Sequence, residues 1–370
     1  MAAPTRTRIL ALLGTTALAV TVTAPAGAAT DAEVIASGLN SPRGLTFAPN
    51  GTLYVAEAGT GGSGPCFPGP EGEPVCFGNT GSVTRIDRKG GQTRVLTGLP
   101  SIANEDGGGF GIGPSDVSFR SKDRMYVTVG LGLDLDFSNT IPELADMGEL
   151  IRARVSKGTW TTVADLAEFE DAENPTGDEE NSNPNSVVAV GSRQVVVDAG
   201  ANDVLRVSAR GDISVLATFP NRMVDAPEFL GLPPGTQIPM DAVPTSVVRG
   251  PDKAYYVGQL TGFPFPLGAA NVYRIVPGHE PEVFASGFTN IIDVAFDEGT
   301  LYVLEIAKNG LLSGDLTGAL IRVDRDGTQH EVMSEGLFAP GGLTIRNGVA
   351  YVSNCGVCAG GGEVLRIPLP

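Results

Sequence analysis

The sequence predicts an all-β chain, a six-bladed β-propeller of four-stranded antiparallel blades. Three observations predict it. A middle strand recurs six times, as Leu53-Tyr54-Val55, Met125-Tyr126-Val127, Val195-Val196-Val197, Tyr255-Tyr256-Val257, Leu301-Tyr302-Val303 and Ala350-Tyr351-Val352. An Arg followed by Ile or Val keeps step with it, at Arg85-Ile86, Arg154-Val155, Arg206-Val207, Arg274-Ile275, Arg322-Val323 and Arg366-Ile367. The 50 Gly and 27 Pro supply the tight turns that many short strands need. A self-similar unit of four strands, repeated without a linker, reads as one propeller rather than two ordinary domains.

Residues 1–29 read as a cleaved secretory signal peptide. Arg6 and Arg8 precede the uncharged apolar stretch Ile9 to Val22, and Ala26-Gly27-Ala28 offers small residues to a peptidase. Thr7 splits the two arginines, so a twin-arginine signal is not indicated, and the stretch is too short for a convincing membrane span. The expectation is a secreted protein with no span in the mature chain, whose residues 30–370 form a single propeller domain.

The units follow in order: Gly44 to Leu96, Asp116 to Val163, Ser186 to Leu216, Ser246 to Phe284, Asp293 to Met333, and Leu343 to Ile367. The sixth lacks a fourth strand. Val34-Ile35-Ala36-Ser37-Gly38-Leu39, ahead of unit one, matches the fourth strands Val95-Leu96-Thr97-Gly98-Leu99 and Val283-Phe284-Ala285-Ser286-Gly287-Phe288. It is expected to pair with residues 363–367, complete blade six and close the ring, which removes an exposed sheet edge. Third and fourth strands join by short charged turns with Gly90, Gly211 and Gly327 where positive φ is wanted. The long connections lie on the opposite face, where function on such scaffolds resides.

The formal net charge of -17 disfavours nucleic acid and anionic membrane as partners. A small molecule or a protein at the long-loop face is the expected partner, and the chain is expected to be monomeric. Cys66, Cys76, Cys355 and Cys358 form an even set in an exported chain and read as disulfides. Local pairing and crossed pairing between blades one and six both remain open. His279 and His330 fall at the short-turn rim, away from any central base position. No Ser-His-Asp set is visible, and the runs Gly107-Gly108-Gly109 and Gly360-Gly361-Gly362 read as loops.

Acids and amides gather where second strands end and first strands begin. Carboxylate and amide oxygens converging on an axis suit Ca²⁺ or a similar hard cation. The candidate metal set is Glu57, Asn185, Asp293 and Glu305; Asn104, Asp106, Asp116, Asn202, Gln259, Asn290 and Asn354 are candidates for the ligand face. The tract Asp178-Glu179-Glu180-Asn181 is a second place that could hold Ca²⁺.

The stretch from Val34 to Leu45, then Gly51 to Gly59, Gly81-Ser82-Val83-Thr84-Arg85-Ile86 and Pro184-Asn185-Ser186-Val187 resemble the ScyD/ScyE family of exported propellers. More distantly the repeat is similar to NHL-repeat and calcium-dependent lactonase propellers. That second resemblance implies one metal at the channel mouth, held by side chains of the types at Glu57, Asn185 and Asp293. The lactonases' Pro-Asp-Gly run is absent; Pro49-Asn50-Gly51 and Pro251-Asp252-Lys253 come nearest. The functional expectation is a ligand-binding or interaction module. The alternative is a Ca²⁺-dependent hydrolase or lactonase, in which the metal polarises a carbonyl or phosphoryl oxygen.

Overall fold

The computed structural model describes residues 32–70, 72–105 and 110–370. The expected signal peptide, Asp106 and the run Gly107-Gly108-Gly109 lie outside the described residues. The chain is all-β and propeller-like; among the described residues six antiparallel sheets of four or more strands follow in chain order, here I to VI, beside two two-stranded ones.

The first strands of the sheets are Pro42–Phe47, Pro114–Ser121, Pro184–Val190, Pro244–Arg249, Ile291–Asp297 and Gly342–Ile345. The second strands carry the Tyr-Val repeat: Leu53–Glu57, Arg124–Val129, Arg193–Asp198, Tyr255–Gln259, Thr300–Glu305 and Val349–Asn354. Val55, Val127, Val197, Val257, Val303 and Val352 are all fully buried. Tyr54, Tyr126, Tyr256 and Tyr302 are buried on the opposite pleat. In sheets I, II, IV and V both faces of the middle strand are therefore covered, which is why it reads as an unbroken apolar run. Each such Val contributes about 1.5–3 kcal/mol by burial.

Sheet VI takes its fourth strand from the other end of the sequence. Glu33–Leu39 pairs antiparallel with Gly362–Pro368, with Glu33 opposite Arg366 and Leu39 opposite Gly362. First strands touch in sequence order from I to VI, and that of VI touches that of I. The apolar core is divided in the same way. Tyr54 and Val83 pack with Val117 and Val127 between I and II. Val196 and Leu205 pack with Tyr126 and Leu150 between II and III. At the seam, Ala36 and Val364 pack with Leu45 and Val55.

Both disulfides are local. Cys66 bonds Cys76, its register partner in a hairpin that extends sheet I, and Cys355 bonds Cys358. Among the described residues no cysteine is free. The short turns behave as expected: Gly90, Gly211 and Gly327 have positive φ, and Asp87 accepts from the N–H groups of Lys89 and Gly91. His330 is exposed beside Asp324.

Three connections read as loops are partly regular. The segment after sheet II contains the helix Leu166–Glu173, capped by Asp165, whose carboxylate accepts from Glu168 N. The segment after sheet III forms the hairpin Arg222–Asp225 with Gln237–Met240. Asn104, placed in a connection by the sequence, ends the long strand Gln92–Asn104. No described helix is long and apolar enough to cross a membrane.

Candidate binding site at the long-loop mouth

The site begins with a repeated irregularity. In sheets I to V the register shifts just after the first strand opens, at Pro42, Pro114, Pro184, Pro244 and Ile291. Proline brings no N–H to the ladder, and a bulge there re-aims the next side chain. The bulged residues include Arg43, Ser115, Asn185 and Thr245. Ser115 Oγ donates to Pro184 O at 2.6 Å, Asn185 Nδ2 to Thr245 O at 2.6 Å, and Thr245 Oγ1 to Ile291 O at 2.8 Å. Each side chain thus ties its own sheet to the next.

One residue further, two carboxylates do the same. Asp116 accepts from Val117 N at 2.7 Å and, across the interface, from Ser186 Oγ and Val187 N, both at 2.9 Å. Asp293 accepts from Val294 N and from Leu343 N of sheet VI, both at 2.7 Å. Burial pushes Asp116 up to about 6 against the pull of its donors. Burial, then the charge of Asp116, raises Asp293 well above the carboxylate range. Gly44 lies against Asp116, and any β-carbon there would collide with its carboxylate.

The acids and amides that end the second strands hold the connections between sheets. Glu57 accepts from Asn40 N at 2.8 Å, Ser82 Oγ at 3.0 Å, Thr84 Oγ1, and Arg94 at 2.7 and 3.1 Å. Asp198 accepts from Ser182 Oγ and Asn183 N, both at 2.6 Å. Glu305 accepts from Thr289 N at 2.6 Å, and burial pushes it up to about 7. Asn354 accepts from Phe338 N and donates to Gly336 O. Asn202 accepts from Val243 N, and Asn290 joins Leu260 O to Leu311 N. Gln259 accepts from Arg222, which also donates to Ala269 O. Among the described residues, no three His, Cys, Asp or Glu side chains form a group able to hold a metal. Glu57, Asp293 and Glu305 are therefore not brought together as one.

A small cavity of about 70 Å³ opens among the bulged ends, lined by Arg43, Ile112, Gly113, Ser115, Asn183 and Asn185. Arg43 Nη2 donates to Gly111 O at 2.6 Å. No carboxylate pairs with this guanidinium among the described residues. Burial pushes it down to about 10, so it stays charged at neutral pH. The cavity thus offers a half-buried cation, two amides and a hydroxyl. Of these residues the sequence reading singled out only Asn185. The available signal was the residue after Pro at the start of four of the six first strands.

No family model matches the chain, and no curated protein matches it. Solved structures do. A protein of unknown function from Bacteroides thetaiotaomicron aligns at 12% identity and TM-score 0.55, covering 91% of this chain and 75% of that one. A gluconolactonase from Xanthomonas campestris aligns at 11% identity and TM-score 0.54, covering 92% and 90%. Virginiamycin B lyase from Staphylococcus aureus aligns at 12% identity and TM-score 0.50, covering 92% and 99%. The narrower ScyD/ScyE resemblance is not supported by these matches. At such identity the likeness concerns architecture alone, and it agrees with the sheets described above: the chain is an all-β, propeller-like protein.

Proposed function

We propose that the protein is an exported six-bladed propeller of the ScyD/ScyE type that binds a small carboxylate-bearing ligand at its long-loop mouth. Six sheets with cyclic neighbours, and a fourth strand of sheet VI supplied by residues 33–39, support the blade count and the closure. Two disulfides support export. One observation carries the ligand class: Arg43 is half-buried, lines the cavity, and has N–H groups left after its bond to Gly111 O. A guanidinium binds a carboxylate through paired N–H donors, and the neighbouring amides fix its orientation.

The competing reading, a metal-dependent hydrolase, draws less support. It needs Glu57 and Glu305 to present free oxygens, yet Glu57 already takes five hydrogen bonds from protein donors and Glu305 holds a loop N–H. The test is a thermal-shift panel of acetate, lactate and gluconate on the wild type and Arg43→Met. At least one acid should raise the wild-type midpoint and fail to raise that of Arg43→Met. No shift in the wild type, or equal shifts in both, overturns the reading.

A further inference from the structure

A second concentration of buried charge lies behind Asn183 of the mouth cavity, where the helix Leu166–Glu173 meets sheet III. Glu170 faces inward from that helix and is 1% exposed. Asp203, the first residue of the third strand of sheet III, is fully buried and sits directly opposite Asp198 in the ladder. The helix packs on the short strand Asn181–Ser182, and Ser182 Oγ donates to Asp198. Asn181 Oδ1 presses on Gly200, in the turn that joins Asp198 to Asp203, so closely that a β-carbon there would collide with it. Residues from three segments therefore adjoin the turn from Asp198 to Asp203.

Their hydrogen bonding is unequal. Asp198 is satisfied by Ser182 Oγ, Asn183 N, Gly200 N and Ala201 N. Both oxygens of Glu170, both oxygens of Asp203 and Oδ1 of Asn181 are buried with no donor among the described residues. Among the described residues no Lys or Arg pairs with any of them. An ionised carboxylate buried without a partner costs several kcal/mol, so two of them together require neutralisation. A proton shared between Glu170 and Asp203 would satisfy part of this set and leave the Asn181 oxygen unpaired. A single hard cation can take all three groups.

We infer that Glu170, Asp203 and Asn181 bind a divalent cation of the Ca²⁺ class, which fastens the inter-sheet helix to the turn of sheet III. The ligands are all oxygens, two carboxylates and one amide, with water to fill the remaining positions, as Ca²⁺ accepts. The field around the site favours a cation: Asp198 and Glu170 act on Asp203, while Asp198, Glu180 and Asp178 act on Glu170, all in the same direction. This site adjoins the mouth cavity through Asn183 but uses none of the residues that line it, and it does not depend on the ligand proposed there.

The test strips the protein with a chelator and titrates it with CaCl₂ by calorimetry and thermal melting near neutral pH. One binding event and a raised melting midpoint are expected. Asp203→Asn and Glu170→Gln should lose both, and Asn181→Ala should weaken binding about tenfold. If Asp203→Asn fails to fold, Asn181→Ala decides alone. An unresponsive wild type, with Asp203→Asn more stable than it, would show a shared proton only and overturn the proposal. Unchanged Ca²⁺ affinity in Asn181→Ala overturns it as well. Binding lost in Glu57→Ala but kept in Asp203→Asn would move the cation to the mouth and overturn it too.

Discussion

Glu57 collects donors from three places: Asn40 N from the connection before sheet I, Ser82 and Thr84 from the third strand, and Arg94 from the fourth. Its side chain is fully covered, while that of Arg94 is 43% exposed. Replacing it by Ala would orphan a buried N–H and two hydroxyls as well as breaking the ion pair. Glu57→Ala should lose about 2–4 kcal/mol in denaturant unfolding. A loss under about 0.5 kcal/mol, the range of an ordinary surface substitution, would mean that these bonds are not formed in solution. The sequence located such residues but not their task. An acid at the end of a strand reads the same whether its oxygens meet a metal or a backbone N–H. Only the path of the connection decides between them, and that path is set by tertiary packing. Arg43 escaped notice for a related reason, because a lone Arg after Pro carries no pattern until the bulge points it into the cavity.

At the scale of elements, regular strands were legible because burial on both faces imposes an unbroken apolar run. The match of residues 34–39 to other fourth strands was enough to assign their pairing with Gly362–Pro368. The helix Leu166–Glu173 was not legible. Its only fully covered residues are Leu166 and Glu170, so the apolar stripe that announces an amphipathic helix is interrupted by an acid. The two-residue strand Asn181–Ser182 and the added hairpin of sheet I are likewise too short for a period to show. The seam yields its own prediction. Deleting residues 32–39 removes Ala36 and Leu39 from the core and bares the edge of Gly362–Pro368. Exposed edges recruit other chains, so the truncated protein should form oligomers or aggregate in sizing chromatography. A truncated monomer with an unchanged melting midpoint would count against the closing role of that strand.

For the molecule as a whole, the distribution of buried acids sets an unusual response to pH. Burial raises Asp116 from 3.8 to about 6, and Glu149 and Glu305 from 4.5 to about 7. Each binds its proton more tightly folded than unfolded. The stability this brings is complete below the unfolded value and is lost as pH climbs through the folded one. Chelator-treated protein should therefore melt at progressively lower temperature between about pH 4 and pH 7, with a slope on the order of 1 kcal/mol per pH unit for each group. Glu305→Gln should flatten that slope; a midpoint that rises steadily across the window contradicts it.

The seam has a further consequence, in mechanics. Glu33 lies beside Arg366, so the start of the first strand and the end of the last are at the same end of one antiparallel pair. A pull on the two termini loads the ladder from that end and opens its hydrogen bonds one after another, as a zipper opens, rather than shearing them together. The fold is thus weakest along the one direction in which its own termini can be tugged. Tension applied through an attachment at both ends would release the closing strand first and leave sheets I to V, whose strands are contiguous in sequence, still paired.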